Sequence, residues 1–165
     1  MSNANELLTG IPTGFEPLRN NRFRFIFPSE LGIMSWAISA GSNPTIAINE
    51  IEIPFLNTSN WVIGRYRWES MTITVRDLIG PSSKQAVMEW VNLHAESVTG
   101  REGYAMGYKR DIKLQQLDPA GVAVSEWIIQ EAMLTNVSFG ENSYDDDALT
   151  LITMTIRPFY CILSY

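Results

Sequence analysis

The chain has 165 residues, of which 18 % are charged, and a formal net charge of −6. This length suits a single domain, residues 1–165, with a buried core. The acidic balance argues against a protein that grips nucleic acid, because such proteins carry a basic stripe. The charged fraction lies below the roughly 25 % of average soluble domains. Either a chain that hides surface in partners or an ordinary compact monomer fits this composition.

A single cysteine, Cys161, excludes an internal disulfide and a multi-cysteine zinc site. Its apolar neighbours predict that it is buried as a small hydrophobic residue. Residues 1–20 lack a basic start and an apolar run, and no segment approaches the roughly 20 apolar residues of a membrane helix. We therefore expect synthesis in a reducing cytoplasm and no membrane insertion.

The first half of the chain predicts an arm, four strands and one long loop. Glycine and proline interrupt residues 1–21, which predicts an N-terminal arm before a β-domain at 22–165. Alternating apolar residues predict strands at Arg22–Phe27, Met34–Ala40, Ile46–Pro54 and Ser70–Arg76. The polar segment Phe55–Arg67, which contains Trp61, is predicted to be a loop.

One helix is predicted at 82–96. Ser82 and Gln85 have the spacing of a capping box, in which each side chain satisfies a backbone amide near the other residue. An apolar stripe follows at i, i+3, i+4 and i+7: Val87, Trp90, Val91 and His94. The opposite face presents Lys84, Glu89 and Asn92.

The second half of the chain is again β-rich. Strands are predicted at Lys109–Leu117, Val122–Ile129, Ala132–Phe139 and Leu149–Leu163, the last bent at Pro158. Seven or eight strands and one helix indicate a mainly β fold. We expect a β-sandwich or partly open β-barrel of antiparallel strands with one flanking α-helix. Some strand edges would then stay open to partners.

No residue set typical of an enzyme is visible. The only histidine, His94, lies on the apolar stripe, which predicts a packed core residue rather than a catalytic base. The acidic run Asp145–Asp147 lacks the ligand order of a calcium loop and predicts a solvated turn. We therefore expect no enzyme activity, no cofactor and no metal.

Trp61 has no core explanation, because it stands in a polar segment. Tryptophan is enriched at the energetic centres of interfaces, so an interface anchor is the preferred interpretation. The alternative is a small β-sandwich carbohydrate-binding module that stacks a sugar on Trp61.

The order of these segments resembles the tail tube protein of contractile-tailed bacteriophages. The resemblance is carried by Glu50–Pro54 before the loop, Trp68–Val75 after it, the helix around Ala86–Trp90 and the closing strands. It extends over nearly the whole chain. The family's fold, shared with the tube protein of type VI secretion, is a β-barrel-like domain with one flanking helix.

The resemblance implies a structural subunit of the inner tube of a contractile phage tail. Homo-oligomeric six-fold rings would stack into a hollow conduit for DNA ejection, in the virion tail and after synthesis in the host bacterial cytoplasm. The expected partners are the tail sheath protein, the tape-measure protein, and the baseplate and tail terminator proteins. An inner-tube protein of a type VI secretion or extracellular contractile injection system remains an alternative.

Three sets of residues are candidates for contacts in such a tube. The inter-ring stacking loop would use Asn57, Thr58, Asn60, Trp61, Arg65 and Tyr66. The lumen would be lined by Thr72, Thr74, Thr153 and Thr155, small polar side chains that let DNA pass without the tight phosphate contacts made by basic residues. Arg76 and Arg157 interrupt this wall and are expected to pair with carboxylates across a subunit boundary. The sheath would face Lys84, Glu89 and Asn92.

Overall fold

The computed structural model describes residues 14–165. The predicted arm, 1–21, falls mainly outside this range, and residues 14–22 contain turns but no helix or strand. The described part forms nine strands: β1 Phe23–Ile26, β2 Ile38–Gly41, β3 Ile46–Phe55, β4 Thr58–Trp68, β5 Met71–Arg76, β6 Arg110–Leu117, β7 Ala123–Ser138, β8 Leu151–Arg157 and β9 Tyr160–Leu163. It also forms two α-helices, α1 Ser83–His94 and α2 Ala105–Tyr108, and 3₁₀ turns at Ser29–Leu31 and Ser35–Ala37.

Seven strands form one antiparallel sheet that folds over at β7. The strand order is β1-β6-β7-β8-β5-β2, and β9 pairs with β7 as well. The first half of β7 pairs with β6 and β9, and its second half pairs with β8. Glu131 separates the two halves with a positive φ of 49°, so one 16-residue strand serves both layers. The predicted mainly β fold with a flanking helix is confirmed.

The sheet does not close into a barrel, because the end strands β1 and β2 are not hydrogen-bonded to each other. The ring of Phe25 fills this seam against Gly41. A Cβ on Gly41 would lie 2.3 Å from that ring, a distance that no side chain tolerates. Outer edges of β1, β2 and β9 stay unpaired within residues 14–165, as open edges available to partners.

Alternation along the strands places the core between the two layers. In β5 the side chains of Met71, Ile73 and Val75 are buried, and the residues between them are not. β8 buries Ile152, Met154 and Ile156 in the same way. Cys161 is also buried, as predicted, and burial raises the pKa of its thiol to about 11.

The helix agrees closely with its prediction. Gln85 donates its backbone N–H to the Ser82 side chain at 3.3 Å, which confirms Ser82 as the N-cap. Val87 and Trp90 are buried and Val91 is half-buried. The helix ends at His94, whose side chain is exposed, so the prediction of a core histidine is wrong. The rings of His94 and Tyr108 form an edge-to-face pair, with 4.7 Å between their centroids.

Three strand predictions need correction. Met34–Ala40 is a 3₁₀ turn followed by the short β2. The segments Val122–Ile129 and Ala132–Phe139 form a single strand, because the irregular residue Glu131 bends β7 without ending it. Pro158 does more than bend Leu149–Leu163: it separates β8 from β9, which pair with different halves of β7.

The loop predicted at Phe55–Arg67 is wrong. Thr58–Trp68 is strand β4, and it pairs with β3 from Phe55↔Thr58 to Ile46↔Trp68 across a two-residue turn at Leu56 and Asn57. The polar residues at 57–60 suggested a loop, but backbone pairing with β3 determines the structure of this segment. Among the helices of residues 14–165, none is both long enough and apolar enough to cross a membrane.

Candidate assembly surfaces

The β3–β4 hairpin forms its own two-stranded sheet, separate from the seven-stranded one. Both of its faces carry exposed apolar side chains. The exposed group comprises Ile46, Ile48, Ile51, Ile53, Phe55, Leu56, Trp61, Val62, Ile63 and Tyr66. Monomeric soluble proteins rarely expose contiguous apolar surface of this kind, which usually marks an interaction site.

The six predicted stacking residues all lie on this hairpin, on β4 or its turn, but they do not form one surface. Trp61 is directly opposite Glu52, and Tyr66 is opposite Ile48. Thr58 and Asn60 are opposite Phe55 and Ile53 and therefore share the other face of the ribbon. Arg65 lies at the bulge, where the register shifts between Ile48 and Glu50, and Asn57 lies in the turn.

Sequence reasoning missed the apolar column of Ile51, Ile53 and Phe55, which shares the face of Thr58 and Asn60. Its signal was the regular alternation of apolar residues along β3. Ile51 is 53 % exposed and Phe55 is 72 % exposed. The hairpin therefore offers an apolar contact face in addition to Trp61.

The four predicted threonines lie together on the outer side of the main sheet. Thr72 is directly opposite Thr155, and Thr74 is directly opposite Thr153. The alternate side chains of β5 and β8 are in the core, so these hydroxyls face away from it. The result is a compact surface of four hydroxyl groups without a charged side chain between them.

The register extends this threonine surface onto the neighbouring strand β7. Asn136 is opposite Thr155, and Ser138 is opposite Thr153. These two residues were not predicted, because the sequence alone does not indicate which strand lies beside β8. Arg76 and Arg157 follow the threonines at opposite ends of the surface, since β5 and β8 run antiparallel.

The outer side of α1 exposes Lys84, Glu89 and Asn92, as predicted. Lys84 is not free, because its Nζ lies 3.3 Å from Asp77 Oδ2 and its backbone N–H donates to Asp77 Oδ1 at 3.2 Å. Burial raises the pKa of Asp77, but the bonds from Lys84 and a hydrogen bond from the backbone N–H of Leu78 lower the pKa by more than burial raises it. The pKa of Asp77 therefore lies below its usual value.

Beneath the helix, an apolar groove of about 300 Å³ separates α1 from the second half of β7. Trp90 lies along it and donates its Nε1–H to the backbone oxygen of Tyr108 at 2.7 Å. His94 and Tyr108 both border the groove, and their rings contact each other. Among residues 14–165 no group of three or more histidine, cysteine, aspartate or glutamate side chains could hold a metal ion.

No protein-family model matches the chain, and no curated protein sequence is detectably similar to it. Solved structures are similar. A chain of the anti-feeding prophage cap, a tube-terminating cap, superposes with a TM-score of 0.74 at 14 % identity and 99 % coverage of both chains. A chain of the PVC sheath-tube complex, from an extracellular contractile injection system, gives 0.70 at 15 % identity, covering 99 % of this chain and 98 % of its own. A chain of the PVC sheath/tube terminator gives 0.69 at 16 % identity, covering 93 % of this chain and all of its own.

These similarities extend over almost the whole of each chain at low sequence identity, so they define the fold. The chain therefore has the fold of the tube and tube-terminator proteins of contractile injection systems.

Proposed function

We propose that this chain is a structural, non-catalytic subunit of the inner tube of a contractile injection machine, in which rings of six copies stack into a hollow conduit. The observation that carries this proposal is the exposed apolar β3–β4 hairpin. An isolated two-stranded ribbon with apolar side chains on both faces is unfavourable in water unless another surface covers it. The similarity to chains of a tube cap and a sheath-tube complex supports the same assignment.

Each surface then has a role in the assembly. The hairpin, with Trp61 as an anchor, contacts the next ring. The threonine surface lines the bore. The face of α1 with Lys84, Glu89 and Asn92 is directed toward the sheath, and the tape-measure, baseplate and terminator proteins meet the tube at its inside and its ends.

Two kinds of machine fit this proposal. In a phage tail the cargo is DNA, which an acidic protein with an uncharged polar bore conducts without holding it. In an extracellular contractile injection system the cargo is protein, and the similarity to chains of such particles favours this second candidate. Capsid and terminase genes beside the gene for this chain would favour the phage.

The small carbohydrate-binding module is less well supported. Trp61 is 53 % exposed on a projecting ribbon, whereas sites for small ligands are concave. An exposed ribbon is better suited to contact with a large protein surface.

Negative-stain microscopy of the purified protein tests the proposal. We expect six-fold rings and stacked tubes, and light scattering that increases with protein concentration. Featureless monomers across a wide concentration range would contradict a tube subunit.

A further inference from the structure

A charged cleft of about 520 Å³ opens where the root of the β3–β4 hairpin meets β7, β8 and β9. Arg67, Lys109 and Arg157 line it, with Glu131 as the opposing carboxylate. Aromatic rings, among them Phe159, form much of the remaining wall. The cleft is therefore cationic in a chain whose net charge is −6.

Only part of this positive charge is neutralised within the subunit. Lys109 Nζ lies 2.9 Å from Glu131 Oε2 and 5.9 Å from the centroid of the Phe159 ring. Arg67 and Arg157 form no salt bridge with any partner in residues 14–165. Two exposed guanidinium groups thus remain available for an anionic partner.

An acidic segment of the same chain has the complementary chemistry. The turn between β7 and β8 carries Glu141 and the run Asp145–Asp147, all exposed. These carboxylates also form no salt bridge within residues 14–165. Local bonds from backbone amides to Ser143 and Asp146 order part of the turn.

The cleft and the acidic turn adjoin opposite ends of β8. The turn leads into Leu151 at the start of β8, and the cleft includes Arg157 at its end. A seven-residue strand spans about 20 Å at roughly 3.3 Å per residue. The two surfaces are therefore separated along β8, an arrangement suited to contacts between copies.

We propose that the cationic cleft receives the acidic turn of a second copy of this chain, in a head-to-tail contact that repeats along the tube. This inference rests on the proposed function, because it assigns the residues of one inter-ring contact. The cleft adjoins the hairpin root, so the two contacts form one continuous interface. A head-to-tail contact uses two different patches and can therefore propagate from ring to ring.

Charge reversal in two separate variants tests the pairing. The cleft variant carries Arg67→Glu and Arg157→Glu, and the turn variant carries Asp145→Lys, Asp146→Lys and Asp147→Lys. Each alone should form rings but few tubes, because like charges then meet at every ring boundary. A mixture of the two should recover tubes of alternating rings, since each reversed patch then meets an opposite charge. Normal tubes from either variant alone, or no recovery in the mixture, would overturn the proposal.

A second measurement does not depend on tube formation. A fluorescent peptide of residues 139–149 is titrated with the protein at low ionic strength, where the pairing is strongest. We expect wild-type protein to bind it at least about tenfold more tightly than the cleft variant. Arg101→Glu, at an exposed arginine outside the cleft, is the matched control and should bind like wild type. A peptide with asparagine at the three aspartate positions should not bind.

The outcomes separate this inference from the proposed function. Wild-type protein that never forms tubes but binds the peptide through the cleft would contradict the tube role alone. Tubes without peptide binding and without sensitivity to charge reversal would contradict the cleft alone. A duplex DNA oligonucleotide that binds the cleft more tightly than the peptide would assign it to nucleic acid and overturn the proposal.

Discussion

Asp77 connects the end of β5 to the start of α1 through a single carboxylate. Its Oδ1 accepts hydrogen bonds from the backbone N–H groups of Leu78 and Lys84, and the Lys84 ammonium pairs with Oδ2. A negative charge at a helix N-terminus is favoured by the unpaired amides and the helix dipole. Asp77 therefore stabilises the junction on which the helix position depends.

We expect Asp77→Asn to lower the free energy of unfolding by about 0.3–1 kcal/mol at neutral pH, the usual scale for a negative charge near a helix N-terminus. The folded-state pKa of Asp77 lies below the ordinary value of 3.8, so the contribution of the carboxylate is complete at pH values well above 3.8. It is lost as the pH falls through the lower folded-state pKa. Denaturant unfolding of both proteins at several pH values measures the difference.

Glu141→Gln provides the control for Asp77→Asn, because Glu141 is an exposed carboxylate outside the helix junction. It should leave the unfolding free energy nearly unchanged. An Asp77→Asn difference that persists undiminished well below pH 3.8 would contradict the role of the charge.

Trp90 is the largest side chain that helix α1 buries. Its ring is 1 % exposed and packs edge-to-face on Phe27, with 6.3 Å between centroids. Trp90→Ala should lower the free energy of unfolding by about 3–5 kcal/mol, because it leaves a cavity and an unpaired carbonyl at Tyr108. Trp36, which is 65 % exposed, supplies the control, and Trp36→Ala should have little effect. A melting temperature unchanged in Trp90→Ala would refute the packing.

The β3–β4 hairpin should govern stacking without governing the fold. Trp61 is half exposed and lies outside the core, so Trp61→Ala should leave the subunit stable and rings intact. Long tubes should be lost, because a buried aromatic anchor typically contributes about 2 kcal/mol or more to an interface. Electron microscopy of Trp61→Ala beside Trp36→Ala measures tube length, and tubes of normal length from the former would exclude Trp61 as an anchor.

The helix and the hairpin differ in how far the sequence could predict them. Ser82 and the stripe of Val87 and Trp90 act within a few turns, so local spacing was sufficient. The hairpin has no buried face, so β4 lacks the alternation that marks a half-buried strand. Its structure comes from pairing with β3, and the polar residues near Asn57 indicated a loop instead.

The candidate surface residues also divide into those that local spacing predicts and those that depend on strand pairing. Alternation predicted that Thr72 lies on the same face of β5 as Thr74, and that Thr153 lies on the same face of β8 as Thr155, because alternation within one strand is a local property. Their extension to Asn136 and Ser138 depends on the register of β7 with β8, which no local pattern encodes. The same holds for the cationic cleft, whose Arg67 and Arg157 come from segments far apart in the chain.

Across the whole molecule, uncharged, acidic and cationic side chains lie on different surfaces. The threonine surface is uncharged between its flanking arginines, the acidic turn lies at one end of β8, and the cationic cleft lies at the other. In a ring of six copies the formal charges would add to about −36. Such a ring repels a polyanion except where local cations are exposed, and the proposed contact between rings covers those cations.

Assembled tubes should therefore bind double-stranded DNA weakly even at low salt, where attraction to phosphate is strongest. A mobility-shift titration at low ionic strength measures this binding.

The positive control is Thr72→Lys with Thr155→Lys, which puts two adjacent cations on the threonine surface. If that surface lines the bore, tubes of this variant assembled with DNA should retain it in a nuclease-protected form. Asn92→Lys on the helix should leave any bound DNA open to nuclease. A tight, salt-sensitive complex with wild-type tubes would mean a basic wall and would contradict the passive conduit.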